Sequence, residues 1–270
     1  MNTATRAVLL ATFASVGLLP VLTGHALLEE ILRLHAGGPA SAWEHPDFVL
    51  LLLLTTAAFV PLVRMARTVH RSFAASRRLR AVVAVGSRRT FLGIEYVRVP
   101  GGDVTLCTAG FFRPTIYVSE GAESALAPGQ FRAALLHERA HASGHDVRWL
   151  ALMAALDRAL AFVPWTARVF ALLRLLIERH ADESALAAGA RRADLFDAIV
   201  VASAPALAGA ALSEVGVLQR LRWLAEPQQK HIGETRTAAV LLATLMTPPA
   251  MAHLLLWTGI LCAICSTHVG

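Results

Sequence analysis

Residues 128–146, PGQFRAALLHERAHASGHD, carry the decisive pattern of this 270-residue chain. Pro128 suits the first turn of a helix, where its missing N–H is no loss, and the Ala/Leu-rich run 131–143 continues it. On that helix stands His137-Glu138-Arg139-Ala140-His141, an H-E-x-x-H. Residues four apart lie one turn apart on one face, so two imidazoles can grip a single Zn²⁺ while Glu138 projects beside them toward a water on the metal. Zinc acidifies that water, and the carboxylate takes its proton during attack on a polarised peptide carbonyl. The bland alternative is a pair of surface histidines with a solvated Glu138 between them. It sits poorly with Ala133, Ala134, Leu135 and Leu136, which lead straight into the motif and mark a largely buried helix.

A catalytic zinc needs a third protein ligand and an open fourth position. Downstream, Glu178-Arg179-His180-Ala181-Asp182 closes a helical arm that follows Pro164. Glu178 can complete a His₂Glu set. Asp182, four residues on and on the same face, is placed to accept a hydrogen bond from the second nitrogen of a ligand imidazole. His180 is two positions from Glu178, faces elsewhere and reads as a non-ligand.

Around these helices, residues 81–119 read as short strands, AVVAV, IEYVRV, VTLC and TIYVS, separated by turns containing Gly, Ser and Pro. Helical blocks are expected over 131–143, over 147–188 with a break at Pro164, and over 193–224. The expected fold class is α+β, a small sheet followed by helices.

Composition adds a membrane. The chain is 56% hydrophobic and 16% charged, with mean hydropathy +0.54, against about 45–50% apolar and about 25% charged in ordinary soluble domains. A soluble domain and a disordered chain are both excluded. Ala7–Leu28 carries no Asp, Glu, Lys or Arg and is long enough to cross the hydrocarbon; it lacks the A-x-A site of a cleaved signal peptide. Residues 48–63 form a shorter apolar run that spans if Asp47 and Arg64 sit at the two interfaces. A third run, Thr237–Gly270, is interrupted by Pro248-Pro249. Cys262 and Cys265, a C-x-x-C inside it, read as small apolar helix residues, and with Cys107 they are too few for a disulfide framework. Residues 149–176 are apolar too, but Asp157, Arg158, Arg168 and Arg174 argue against a full span.

Residues 64–98 hold nine Arg against Glu95, whereas residues 24–49 hold Glu29, Glu30, Glu44 and Asp47 against Arg33. By the positive-inside rule the Arg-rich stretch is cytoplasmic. The expectation is a multi-pass protein of the cell membrane with about three transmembrane helices. A first helix at 1–28 leads to an external loop at 29–47 and a second helix at 48–63. A cytoplasmic domain at 64–236 precedes a C-terminal transmembrane segment at 237–270. Topology and contact with anionic lipid account for the excess of Arg, so direct nucleic-acid binding is not expected.

The stretch GFFRPTIYVSEGAESALAPGQFRAALLHERAHASGHD, with ERHADESAL some forty residues later, resembles the BlaR/MecR-type integral membrane zinc metallopeptidases. The likeness covers about residues 105–190. HtpX-type peptidases share H-E-x-x-H and E-x-x-A-D, and Ala181 fits them equally; FFRPTIYVSEG and the FVPW turn at 162–165 favour the first group. The resemblance implies a gluzincin-type peptidase domain with one zinc ion per chain held by His137, His141 and Glu178, catalytic Glu138, and Asp182 behind the ligands. It also implies that Asp146 buttresses the motif helix and that Arg220 or Arg222 lies near the substrate cleft. The strand Thr115–Ser119 is expected to offer an edge along which an extended substrate adds. The substrate implied is a protein, for instance a cytoplasmic transcriptional repressor. Quality control of membrane proteins is the alternative, and a non-catalytic membrane adaptor with a protease-like fold is a second. Receptors of this group usually have more membrane helices before the peptidase and often an external penicillin-binding domain, so antibiotic sensing is not expected.

Overall fold

The computed structural model describes residues 3–36, 46–83, 86–163, 165–207 and 213–226. They fall into two compact units, one from residues 3–69 and 152–170, the other from residues 70–151 and 171–226. The structure is α+β and mostly helical, with one four-stranded sheet.

The first unit is built on α1 (Thr3–Ala36) and the first two thirds of α2 (Pro46–Val83). Both helices are long and apolar enough to cross a membrane, over Thr5–Ala36 (32 residues) and Phe48–Arg78 (31 residues). Large apolar side chains on each, among them Leu10, Val21, Leu53 and Phe59, are exposed, as suits a helix surrounded by lipid rather than by protein. Several hydroxyls on these helices turn inward on their own backbones, while that of Thr55 is buried without a partner among the described residues. Thr12 donates to the Val8 carbonyl at 2.8 Å, Ser15 to Ala11 at 2.9 Å and Thr56 to Leu52 at 2.8 Å, so these three are not unpaired donors in an apolar setting. The third apolar run, residues 237–270, lies outside the described residues.

The described part of AVVAV is helix rather than strand, and residues 84–85 lie outside the described residues. Residues 81–83 are the last turn of α2, and the first strand begins at Ser87. A helix already many turns long extends for one more hydrogen bond per residue, which outweighs the β-preference of two valines. The strand position is set instead by the turn Leu92-Gly93, whose positive φ values of 47° and 79° close a two-residue hairpin between β1 (Ser87–Phe91) and β2 (Ile94–Val99).

The sheet order is β1-β2-β4-β3, where β3 is Leu106–Ala109 and β4 is Thr115–Ser119. β4 runs parallel to β2 and antiparallel to β3, so it is paired on both sides. The expectation that Thr115–Ser119 offers a free edge is therefore wrong. Among the described residues the free edge on that side belongs to β3. A second departure is α3 (Glu120–Ala125), a short helix capped by the Ser119 hydroxyl, which accepts from the Ala122 N–H at 3.1 Å.

α4 (Pro128–Gly144) packs on one face of the sheet. Alternation places Ile94 and Tyr96 of β2 on that face with Ile116 and Val118 of β4, and all four are buried against Phe131, Leu135 and Leu136 of α4. Phe131 meets Phe91 and Tyr96 edge-on, with ring centroids 5.1 and 5.7 Å away. α5 (Asp146–Ala159) and α6 (Thr166–Ala187) follow, on either side of Pro164, which is not among the described residues. Met153, Leu156, Val169, Phe170, Leu173 and Ile177 on these two helices are each at most 1% exposed. The single helical block expected over 193–224 is two helices, α7 (Arg192–Leu207) and α8 (Ser213–Ala225). Leu195, Ala198 and Ile199 of α7 and Leu224 of α8 join the core under α4.

Candidate metal centre

Four helices deliver the polar residues of the second unit to one place. α4 presents His137 and His141 one turn apart, α6 presents Glu178 and Asp182 one turn apart, α5 begins with Asp146, and α8 carries Arg220. His137, His141 and Glu178 form a group able to hold a metal ion. Their facing atoms make a tight triangle. His137 Nε2 lies 3.0 Å from His141 Nε2 and 3.5 Å from Glu178 Oε2, and His141 Nε2 lies 3.6 Å from Glu178 Oε1. Bonds of about 2.0–2.1 Å to a tetrahedral ion put ligand atoms about 3.4 Å apart, so the three donors fit such an ion with little adjustment.

The other nitrogen of each imidazole is occupied. His137 Nδ1 is 2.8 Å from Asp182 Oδ1, and His141 Nδ1 is 2.9 Å from Asp146 Oδ2. An ionised carboxylate only accepts, so both Nδ1 atoms carry a proton and both Nε2 atoms face inward, with lone pairs there once the imidazoles are neutral. The chain reversal that brings Asp146 back onto His141 is built locally. His145 caps α4 in the left-handed region at φ 53° and ψ 37°. A Cβ on Gly144 would stand 2.9 Å from Asp146 Oδ1, which explains the glycine there.

Arg220 closes the network. Its Nε and Nη2 donate to the two oxygens of Asp182 at 2.9 and 2.6 Å, and its Nη1 donates to Glu178 Oε2 at 2.8 Å. The choice between Arg220 and Arg222 is thereby made on geometry: Arg222 is exposed and has no part in this network. Arg220 lines the cavity beside the donors and is at the same time a bidentate partner of a fully buried carboxylate. Replacing Asp182 with alanine would leave Nε and Nη2 of Arg220 and the His137 Nδ1–H without their acceptors, with only the Glu178 contact remaining to the guanidinium. The expected outcome is a loss of about 3–5 kcal/mol of stability in thermal unfolding and roughly 10–100-fold weaker binding of a divalent metal ion by titration. Asp182→Asn, which keeps an acceptor but no charge, should fall between.

Charge explains the titration behaviour. Glu138, Glu178, Asp182 and Asp146 face a single guanidinium, and two imidazolium charges or one divalent cation would offset that excess equally. Burial alone would push His141 down, but hydrogen bonds to Asp146 and Glu178 outweigh it and raise the imidazole to about 10. His137 is likewise raised against its burial, by hydrogen bonds to Asp182 and Glu178. Burial opposes ionisation of Glu178 and Asp182, yet the histidines and Arg220 hold both carboxyls well below the usual range. A metal ion entering at neutral pH displaces protons from the two imidazoles, so its affinity falls as pH falls.

The donors open onto a cavity of about 350 Å³. Glu138 lines it, as do Cys107 and Thr108 of β3 and the apolar Leu150, Leu195 and Ile199. Burial, with Glu138 nearby, pushes the Cys107 thiol up to about 11, and Cys107 is not one of the group able to hold a metal ion. His180 is exposed. Cys107 and Thr108 carry no local sequence signal; only strand pairing brings them beside α4. The end of β3 is tethered by Arg148, whose Nε donates to the Phe111 carbonyl at 2.6 Å, while the Phe111 ring packs 4.9 Å from Phe73 of α2. No protein-family model matches the chain, and no curated protein matches its sequence.

Proposed function

We propose that the chain is a membrane-anchored zinc endopeptidase of the gluzincin type, cleaving a protein substrate on the cytoplasmic side. The observation that carries this reading is the placement of Glu138 in the cavity wall beside a two-histidine, one-carboxylate group with an open side. A closed structural site would surround its ion with four protein ligands. His137, His141 and Glu178 would hold the zinc, which when bound supplies Lewis-acid polarisation of the scissile carbonyl and makes water acidic enough to deprotonate near pH 7. Asp182 and Asp146 keep the two imidazoles in the tautomer that presents Nε2. Arg220 balances the charge of Glu178 and Asp182 and fixes both against α8. Glu138 takes the proton of the attacking water and delivers it to the departing amine nitrogen as the C–N bond breaks.

An extended substrate would pair along the open edge of β3, next to Glu138, and rest side chains on the apolar wall of α7. Main-chain hydrogen bonds supply affinity in that mode, and the wall supplies preference. The orientation of the domain rests on the Arg-rich stretch that follows the second apolar helix. The likeness to BlaR/MecR-type peptidases favours regulated cleavage at a defined site, a transcriptional repressor being one substrate of that kind. The direct test is a mixed peptide library offered to the purified full chain in detergent with zinc. Cleavage that a chelator abolishes and zinc restores is expected; no cleavage with zinc bound at the three donors would refute the assignment.

A further inference from the structure

A carboxylate that must take and return a proton has to be held in one rotamer, and resting on the peptidase reading above, we propose that Thr108 is a positioning residue for Glu138. Thr108 Oγ1 lies 2.8 Å from Glu138 Oε2 and 2.8 Å from the Glu138 carbonyl oxygen. Both acceptors belong to one residue. The single hydroxyl proton, shared between them, folds the Glu138 side chain back toward its own backbone and leaves Oε1 for the proton transfer. No other described residue is assigned this task by the geometry: Arg220 grips Glu178 and Asp182, and the two aspartates grip the histidines.

The place of Thr108 in the sheet gives the contact a further use. The Ser119 N–H donates to the Thr105 carbonyl at 2.9 Å, in line with the β3–β4 register. Hydrogen-bonded and non-bonded pairs alternate along an antiparallel ladder, so Cys107 and Ala109 turn their backbone groups toward β4, while Leu106 and Thr108 turn theirs to the open edge. Thr108 thus offers its N–H and C=O to an incoming strand and its hydroxyl to the base. A substrate paired at Thr108 is set in register with Glu138 through a single residue, and the same contact steadies the carboxylate that acts on it.

The test is Thr108→Val in the full zinc-loaded chain, with Thr108→Ser beside it. Valine keeps the branched shape that suits a strand and removes only the hydroxyl. The expected result is a fall in kcat of roughly 10–100-fold with KM within about twofold, zinc content unchanged, and most of kcat recovered in Thr108→Ser. A kcat for Thr108→Val within about twofold of wild type, or a serine variant as slow as the valine one, would overturn the proposal. A crystal structure of zinc-loaded Thr108→Val gives a readout independent of turnover. Displacement of the Glu138 carboxylate with His137, His141 and Glu178 unmoved supports the assignment; an unmoved Glu138 overturns it. Should wild type cleave nothing, or Glu138→Ala cleave as well as wild type, the peptidase reading fails while the structural arm still decides the role of Thr108.

Discussion

Glu138→Ala is expected to retain about one zinc ion per chain and to lose peptide cleavage by roughly 10²–10⁴-fold, the usual worth of a positioned general base. The residue contributes no donor to the triangle formed by His137, His141 and Glu178, so metal content should be unchanged. The fold should survive too, because Glu138 is only half-buried and is not a member of the hydrophobic core. Zinc content by mass spectrometry and cleavage of one reporter peptide, both from the same preparation, check the pair of outcomes. In cells, sequencing of new protein N-termini with the wild-type and Glu138→Ala chains separates the two proteolytic roles. Regulated cleavage predicts very few differences, and quality control predicts many.

The second large effect is on the metal. Four ligands of a structural zinc site together contribute about 10–16 kcal/mol, so losing one of the donors here should weaken affinity by roughly 10²–10³-fold. His137→Ala and Glu178→Ala are the informative variants. At a free zinc concentration about a hundred times the wild-type Kd, wild type should gain about 2.7 kcal/mol and each variant under about 0.5 kcal/mol. In a domain of this size that gain is a rise in Tm of roughly 5–10 °C, abolished by a chelator. His180→Ala, an exposed neighbour on the same helix, should behave as wild type. A variant of His137 that still shows the full zinc-dependent rise would place the ion elsewhere.

What could be read in advance follows from the range of the interactions. His137 and His141, or Glu178 and Asp182, are spaced by one helical turn, and such a pattern is written in four or five consecutive residues. Helix length and apolarity are local in the same sense, so α1 and α2 were legible, as were β2, β4 and the start of α4 at Pro128, while β3 was expected over VTLC, two residues before its observed place at Leu106–Ala109. The AVVAV run misled because composition there favours a strand while the growing α2 favours one more turn. Strand order is non-local. β3 precedes β4 in sequence, yet β4 inserts between β2 and β3, and no pattern within TIYVS announces partners on both sides. That insertion moves the open edge to β3 and brings Thr108 and Cys107 to the cavity, which is why neither stood out beforehand. Arg220 and Arg222 were equivalent as sequence; two positions apart on a helix, they point to different sides, and the packing of α8 on α7 selects Arg220.

The central claim is that His137, His141 and Glu178 share one zinc ion, backed by Asp182 and Asp146. Anomalous diffraction from crystals of the full chain, recorded on both sides of the zinc absorption edge, tests it most directly. The account predicts one zinc peak per chain, bonded to His137 Nε2, His141 Nε2 and the Glu178 carboxylate and open toward Glu138. A zinc-replete crystal with no peak there, or with its peak on other residues, would contradict it.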